Sequence, residues 1–131
     1  LGPFVAKFSS SNVFHRNMRN IWYEPNLYDQ VYMQEHWNLL ISKGGRKVLS
    51  KITNYIDQRY TYYDKWIGAL KETQLPIHIL WAANDRIAIV DMANRLESII
   101  PNNKKTIINN CGHYPMIEHP KIWVTHLLSF I

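Results

Sequence analysis

Residues 75–131 carry the pattern that most restricts the fold. Ile77-His78-Ile79-Leu80-Trp81 is a short apolar run bounded by Pro76 and by a polar turn, the mark of a buried strand. Val90 to Ile100 follows as a helix, with Met92, Leu96, Ile99 and Ile100 on its apolar face. Asp91 is its candidate cap, and Pro101-Asn102-Asn103 stops it. Lys105-Thr106-Ile107-Ile108 reads as the next strand. Pro120 then opens a last helix through Ile122, Trp123, His126, Leu127 and Phe130, at a helix start where its missing amide costs nothing. Strand, helix, strand, helix in this order is a βαβ unit, which predicts parallel strands and a right-handed crossover. Open α/β sheets build their sites at the carboxyl ends of the strands. There this chain displays one carboxylate, Asp85, and one imidazole, His113.

The first 70 residues have a different grammar and read as all-helical. Gly2-Pro3 with Phe4, Val5 and Phe8 suits a short opening helix, Ser9 to Asn12 a turn or cap, and Asn17 to Trp22 a further helical turn. Pro25 blocks continuation from upstream. Asn26 is then placed to cap the next helix, with Asp29 three residues on as in a capping box. Tyr32 or Met33, Trp37, Leu40 and Ile41 recur at helical spacing, and Gly44-Gly45 ends the element. A longer helix is expected from Val48 through Ile52, Tyr55 or Ile56, Arg59, Tyr63 and Trp66 to about Gly68. Most of the aromatic residues lie in this half. They either fill a small helical core or line a lid over a pocket.

Bulk properties narrow the function. A chain of 131 residues makes about one small domain. It opens on Leu1 and in mid-pattern, so it is expected to be a piece of a longer protein. No stretch is apolar for the length of a membrane span. The single Cys111 rules out an internal disulfide. The formal charge is +5, but nucleic-acid binding needs that charge focused on one face. The densest cluster, Lys43, Arg46, Lys47 and Lys51, shares a face only if a helix runs through Gly44-Gly45, and it reads as a solvated surface. No nucleic-acid partner is expected. The six histidines are scattered without metal-ligand spacing, and no glycine-rich phosphate loop is present, so no metal or cofactor is expected.

The chemistry concentrates in Asp85 and in Gly112-His113-Tyr114-Pro115, with Glu118 and Pro120 behind it. A strand-end acid followed by a Gly-His pair matches the chain order nucleophile, acid, His. In that scheme the acid orients the imidazole, and the imidazole moves protons to or from a nucleophile or water. Gly112 is expected to let the loop turn. Glu118 suits the start of the last helix through its dipole. Asp85 also has a bland reading as a turn former after a strand.

These residues resemble the α/β-hydrolase fold family, in the branch of epoxide hydrolases and haloalkane dehalogenases. A closer resemblance than that branch at large is to the mesoderm-specific transcript protein family. Tyr55-Ile56-Asp57-Gln58-Arg59 resembles that family's Y-I-N-Q-R, and Trp66-Ile67-Gly68-Ala69-Leu70 its W-V-G-A-L. Pro76-Ile77-His78 resembles its P-I-H, and His113-Tyr114-Pro115 its H-Y-P. The resemblance covers roughly residues 26 to 131. It departs at Ala82, where the family has Gly, and at Arg86, where it has Pro.

The resemblance implies an α/β fold: the last βαβα of a hydrolase sheet over residues 71–131, preceded by a helical cap over residues 1–70. It implies His113 and Asp85 as catalytic residues, with a Ser or Asp nucleophile upstream and Asp preferred. The substrate would be a small apolar epoxide, haloalkane or ester. Tyr28, Tyr32, Tyr60, Tyr62 and Tyr63 are candidates to contact a leaving oxygen, with none singled out. The resemblance also suggests the endoplasmic reticulum membrane, reached through segments outside this piece. A second reading is a non-catalytic member that binds partners. Under either reading the 131 residues alone are expected to be inactive and poorly soluble, because a cut sheet leaves an open edge.

Overall fold

The structure is a computed structural model that describes residues 10–52 and 54–131; the helix expected near Phe4 lies outside them. Its helices are α1 (Ser11–Ile21), α2 (Gln30–Ile41), α3 (Arg46–Ile52), α4 (Tyr55–Thr61), α5 (Tyr63–Glu72), α6 (Val90–Ile99), α7 (Pro115–Glu118) and α8 (Pro120–Leu128). Strand β1 (Ile77–Ala82) precedes α6, and β2 (Asn103–Ile108) follows it. Among the described residues no helix is long and apolar enough to cross a membrane. The chain divides into two compact units. One joins Leu27–Asp64 to the residues before Ile21, and the other joins Ile21–Asn26 to Lys65–Ile131.

In the first unit, α1 is one continuous helix, opened by Ser10, whose hydroxyl accepts from Val13 N at 3.3 Å. The cap of α2 is Asp29, not Asn26: its carboxylate accepts from Tyr32 N at 2.9 Å. A capping residue must stand directly before the helix in extended backbone. Asp29 does so (φ −79°, ψ 99°), whereas Asn26 is taken up in a 3-10 turn at Pro25–Leu27.

After α2 the backbone turns left-handed at Lys43 (φ 48°) and Gly44 (φ 77°). Gly45 has an ordinary φ, but a Cβ there would sit 1.9 Å from Leu40 O. One glycine supplies conformational freedom and the next supplies space. The break cuts Lys43 off from the helix face that Lys47 and Lys51, four apart on α3, still share.

The long helix expected from Val48 to Gly68 is instead α3, α4 and the first part of α5. The periodicity is present, but every residue of α4 is exposed, so no buried stripe rewards continuity. Helices this short owe their stability to packing rather than propensity. Aromatic and β-branched residues such as Tyr55, Ile56, Tyr60 and Thr61 lose rotamer freedom in a helix. The chain leaves helical geometry at Tyr62 (φ −109°, ψ 21°). The core of this unit lies elsewhere, at Met33, Trp37, Tyr28 and His15, with Phe14 against the Trp37 ring at 5.4 Å.

The second unit holds the parallel pair, in register from Ile77↔Asn103 to Ala82↔Ile108. Strand residues alternate between faces, and the packing follows that alternation. Ile77, Ile79 and Trp81 pack with Ala93, Leu96 and Ile100 of the α6 region. Leu80 and Ala82 join Ile108, Cys111 and Trp123 of α8. The sheet is thus covered on both faces, as apolar strands of a parallel sheet require. Asp91 is not the cap of α6. Ile89 holds that position without a side-chain bond, and Asp91 stands in the first turn.

Candidate active site

Two loops leave the carboxyl ends of β1 and β2 and are tied together by backbone. Ala83 N donates to Ile108 O at 2.8 Å, and Asn84 N to Cys111 O at 2.9 Å. The ladder therefore continues past the strands and delivers Asp85 beside His113. Asp85 Oδ1 accepts from Ile87 N at 2.8 Å and Ala88 N at 2.9 Å. This is the turn-forming role of an aspartate, and it coexists with a second one. His113 Nδ1 lies 3.0 Å from Asp85 Oδ1 and 2.9 Å from Oδ2.

An ionised carboxylate only accepts, so Nδ1 carries the proton and Nε2 keeps its lone pair. The Asp85 side chain is 8% exposed and that of His113 30%. The carboxylate is thus shielded and the imidazole reachable. Ala82 and Arg86 flank the turn of Asp85. The Ala82 methyl is buried against Ile108 and Cys111, and the Asp85 turn closes with Arg86 in place of Pro.

The loop that carries His113 is held from three sides. His113 N donates to Ile21 O at 3.0 Å. Glu118 Oε2 accepts from Gly112 N at 3.0 Å and from Tyr23 N at 2.9 Å, and Oε1 accepts from Tyr114 N at 3.1 Å. Glu118 is therefore a receptor for backbone amides, not a partner of the α8 dipole. It stands at the end of the four-residue α7, an element that the sequence pattern does not announce.

Gly112 is needed for space rather than for turning. A Cβ there would meet Ile21 O at 2.5 Å, Tyr23 N at 2.6 Å and Glu118 Oε1 at 2.8 Å. Tyr114 packs edge-on against His113, with ring centroids 5.1 Å apart, and against Trp22 at 5.7 Å. Burial, and then the Asp85 charge, push the Tyr114 phenol above its ordinary pKa. Cys111 is fully buried, and burial, then Glu118 and Asp85, push its thiol up to about 12. It is a neutral packing residue.

The other histidines stand apart from this pair. His78 is at the amino end of β1, bonded to Thr106 Oγ1 at 2.9 Å and packed on Phe130. Burial, then Lys104 and His126, lower its pKa. His119 Nε2 donates to Asn110 O at 2.7 Å, holding the left-handed Asn110 (φ 53°) of the turn after β2. His15, in the first unit, is buried between Tyr28 Oη at 2.6 Å and Gln34 Oε1 at 2.8 Å. Among the described residues no group of three or more His, Cys, Asp or Glu could hold a metal ion.

The tyrosines and tryptophans of the helical half divide between core and surface. Tyr28 and Trp37 are buried, while Tyr32, Tyr60, Tyr62 and Tyr63 are exposed. Ile56, Arg59, Tyr60 and Tyr63 line an open hollow of about 180 Å³.

The family described as alpha/beta hydrolase fold matches residues 3–120. The chain is 23% identical over 133 aligned residues to the mesoderm-specific transcript protein of Mus musculus, covering all of this chain and 40% of that protein. A serine hydrolase of carbazole degradation, CarC, superposes with a TM-score of 0.73 at 18% identity, over 92% of this chain and 46% of its own. The epoxide hydrolase CorEH does so with a TM-score of 0.73 at 16% identity, over 98% of this chain and 44% of its own. The chain spans less than half the length of the curated relatives it matches.

Proposed function

The chain belongs to the α/β-hydrolase fold family, and from that premise we propose that it supplies the acid and base of a hydrolase. The observation that carries the reading is the bond from His113 Nδ1 to the Asp85 carboxylate at the carboxyl ends of two parallel strands. With Nδ1–H committed to Asp85, Nε2 is the proton acceptor. It takes a proton from a serine hydroxyl as that oxygen attacks an ester carbonyl, and returns it to the leaving alcohol. With an aspartate nucleophile it takes the proton from a water that attacks the alkyl-enzyme ester. In both schemes Asp85 stabilises the imidazolium that forms. The nucleophile lies outside these residues. The fold likeness extends to a serine hydrolase and to an epoxide hydrolase alike, which supports a small apolar ester or epoxide as substrate, with a haloalkane as the third candidate from the family resemblance.

The test uses the full-length protein that contains this chain, assayed with a p-nitrophenyl ester, an aryl epoxide and a haloalkane. His113→Ala is expected to abolish turnover of whichever substrate is accepted, with the circular dichroism spectrum unchanged. If an aspartate is the nucleophile, the same variant traps the alkyl-enzyme, seen as a mass increase on the intact protein. Undiminished turnover in His113→Ala overturns the reading, and a wild type that turns over none of the three substrates favours a binding protein built on this fold.

A further inference from the structure

We infer that Glu118 is a positioning residue for His113: its carboxylate fixes the backbone on both sides of the histidine and ties it to Ile21–Tyr23. The inference rests on the hydrolase reading above and adds to it the group that aims the base. A histidine that serves as base must hold its ring where one nitrogen meets the acid and the other meets the reacting proton. Asp85 fixes one end of that ring. Something must also fix the Cα, or the ring can keep its Asp85 bond and swing Nε2 away.

His113 lies in a loop between β2 and α7, with no ladder of its own beyond the Asn84–Cys111 bond. Glu118 replaces the ladder. It accepts from the amides immediately before and after His113, those of Gly112 and Tyr114, at 3.0 and 3.1 Å. Its third bond, from Tyr23 N at 2.9 Å, reaches a segment far away in sequence. The same segment takes the His113 amide itself, through Ile21 O at 3.0 Å. Three consecutive amides of the loop are thus satisfied by two anchors, one a charged side chain and one a backbone carbonyl. Charge-assisted bonds of this kind are stronger than neutral ones. The geometry also depends on Gly112, because a side chain there would displace Ile21, Tyr23 or the carboxylate itself.

A carboxylate is the one side-chain group of this size that accepts on both arms. In Glu118→Gln one arm becomes an NH2 that faces a backbone N–H, donor against donor. The amides then release, and the loop loses its fixed end while Asp85 and His113 remain chemically intact.

The test measures the full-length protein as wild type, Glu118→Gln, Glu118→Asp and His113→Ala, with kcat and KM referred to folded enzyme. The expected result is a fall in kcat of fivefold or more in Glu118→Gln, with KM within threefold of wild type. The downfield proton resonance of the His113 Nδ1–H bond to Asp85 should broaden or vanish in that variant, well below its melting temperature. Glu118→Asp keeps the charge but is a methylene too short to reach all three amides; it carries the measurement if the glutamine variant does not fold. A variant that melts earlier but keeps kcat within fivefold, with the resonance sharp, overturns the inference and makes Glu118 a stabilising residue only. Full activity in His113→Ala overturns the hydrolase reading instead, so the two failures are distinct.

Discussion

The polar cluster around His15 in the first unit and the carboxylates of Asp85 and Glu118 in the second are held by different means. In the first, side chains hold side chains. Ser11 Oγ donates to Gln34 Oε1 at 3.0 Å, His15 bridges Gln34 and Tyr28, and Gln34 Nε2 reaches Asn38 at 3.0 Å. In the second, backbone amides hold side chains. Asp85 is fixed by Ile87 N and Ala88 N, and Glu118 by Gly112 N, Tyr114 N and Tyr23 N. A backbone amide is already placed by the fold. A side-chain partner must itself be ordered at an entropic cost of up to about 2 kcal/mol. The carboxylates of Asp85 and Glu118 are thus held by partners that need no further ordering. The core materials differ in parallel. Met33, Trp37 and Tyr28 fill the helical unit, while small and branched residues such as Ile79, Ala82, Ala93 and Ile108 lie against the strands of the sheet unit, which also buries Trp22.

The largest test of this contrast is at Asp85. Asp85→Asn keeps the shape and the Ile87 and Ala88 bonds but offers Nδ1 an amide in place of a carboxylate. Turnover in the full-length protein should fall on the order of 10⁴-fold, as when a triad acid is neutralised. A loss under tenfold would mean that Asp85 only forms the turn.

Trp37 is the corresponding lever in the helical unit, being 4% exposed with Phe14 and Arg46 against its ring. Trp37→Ala should cost about 3–5 kcal/mol in denaturant unfolding. Hydrogen exchange should show the loss in α1 and α2 more than in β1 and β2. Equal loss of protection in both units would say that they melt as one body.

Tyr28→Phe is a smaller change, removing the hydroxyl that bonds His15 Nδ1 at 2.6 Å. Leaving that nitrogen buried without its partner should cost about 1–3 kcal/mol. An unchanged melting temperature would show that the side-chain network re-forms around the gap.

The smallest expected effect is at Cys111, which should not react with a thiol reagent at pH 8 while the chain is folded. The thiol ordinarily titrates near 9.0 and is held up to about 12 here. Between those values the folded state keeps a proton that the unfolded chain releases, so stability falls as pH rises through that window. Rapid labelling at pH 8 would contradict the burial.

Much of the sheet unit was legible because its signals are local. An apolar run closed by Pro76 can only be a short buried element, and β1 occupies Ile77–Ala82. The helical unit was legible in content but not in detail. Asn26 and Asp29 are both good caps, and choosing between them needs the backbone angles. The stripe from Val48 to Trp66 has helical spacing whether or not anything covers it, and only packing decides whether it runs unbroken.

The amino-acid order by itself determined the βαβα sequence of elements, and it set Asp85 and His113 at the loops that follow two strands. Short-range periodicity, proline and glycine encode such features within a few residues. Tertiary structure alone decided that the Asp85 carboxylate meets His113 Nδ1 at 2.9 Å, and that Glu118 and Ile21–Tyr23 clamp the histidine loop. Those contacts join segments remote in sequence, and their partners are set by how strands register and layers pack. No local pattern in the chain contains that information.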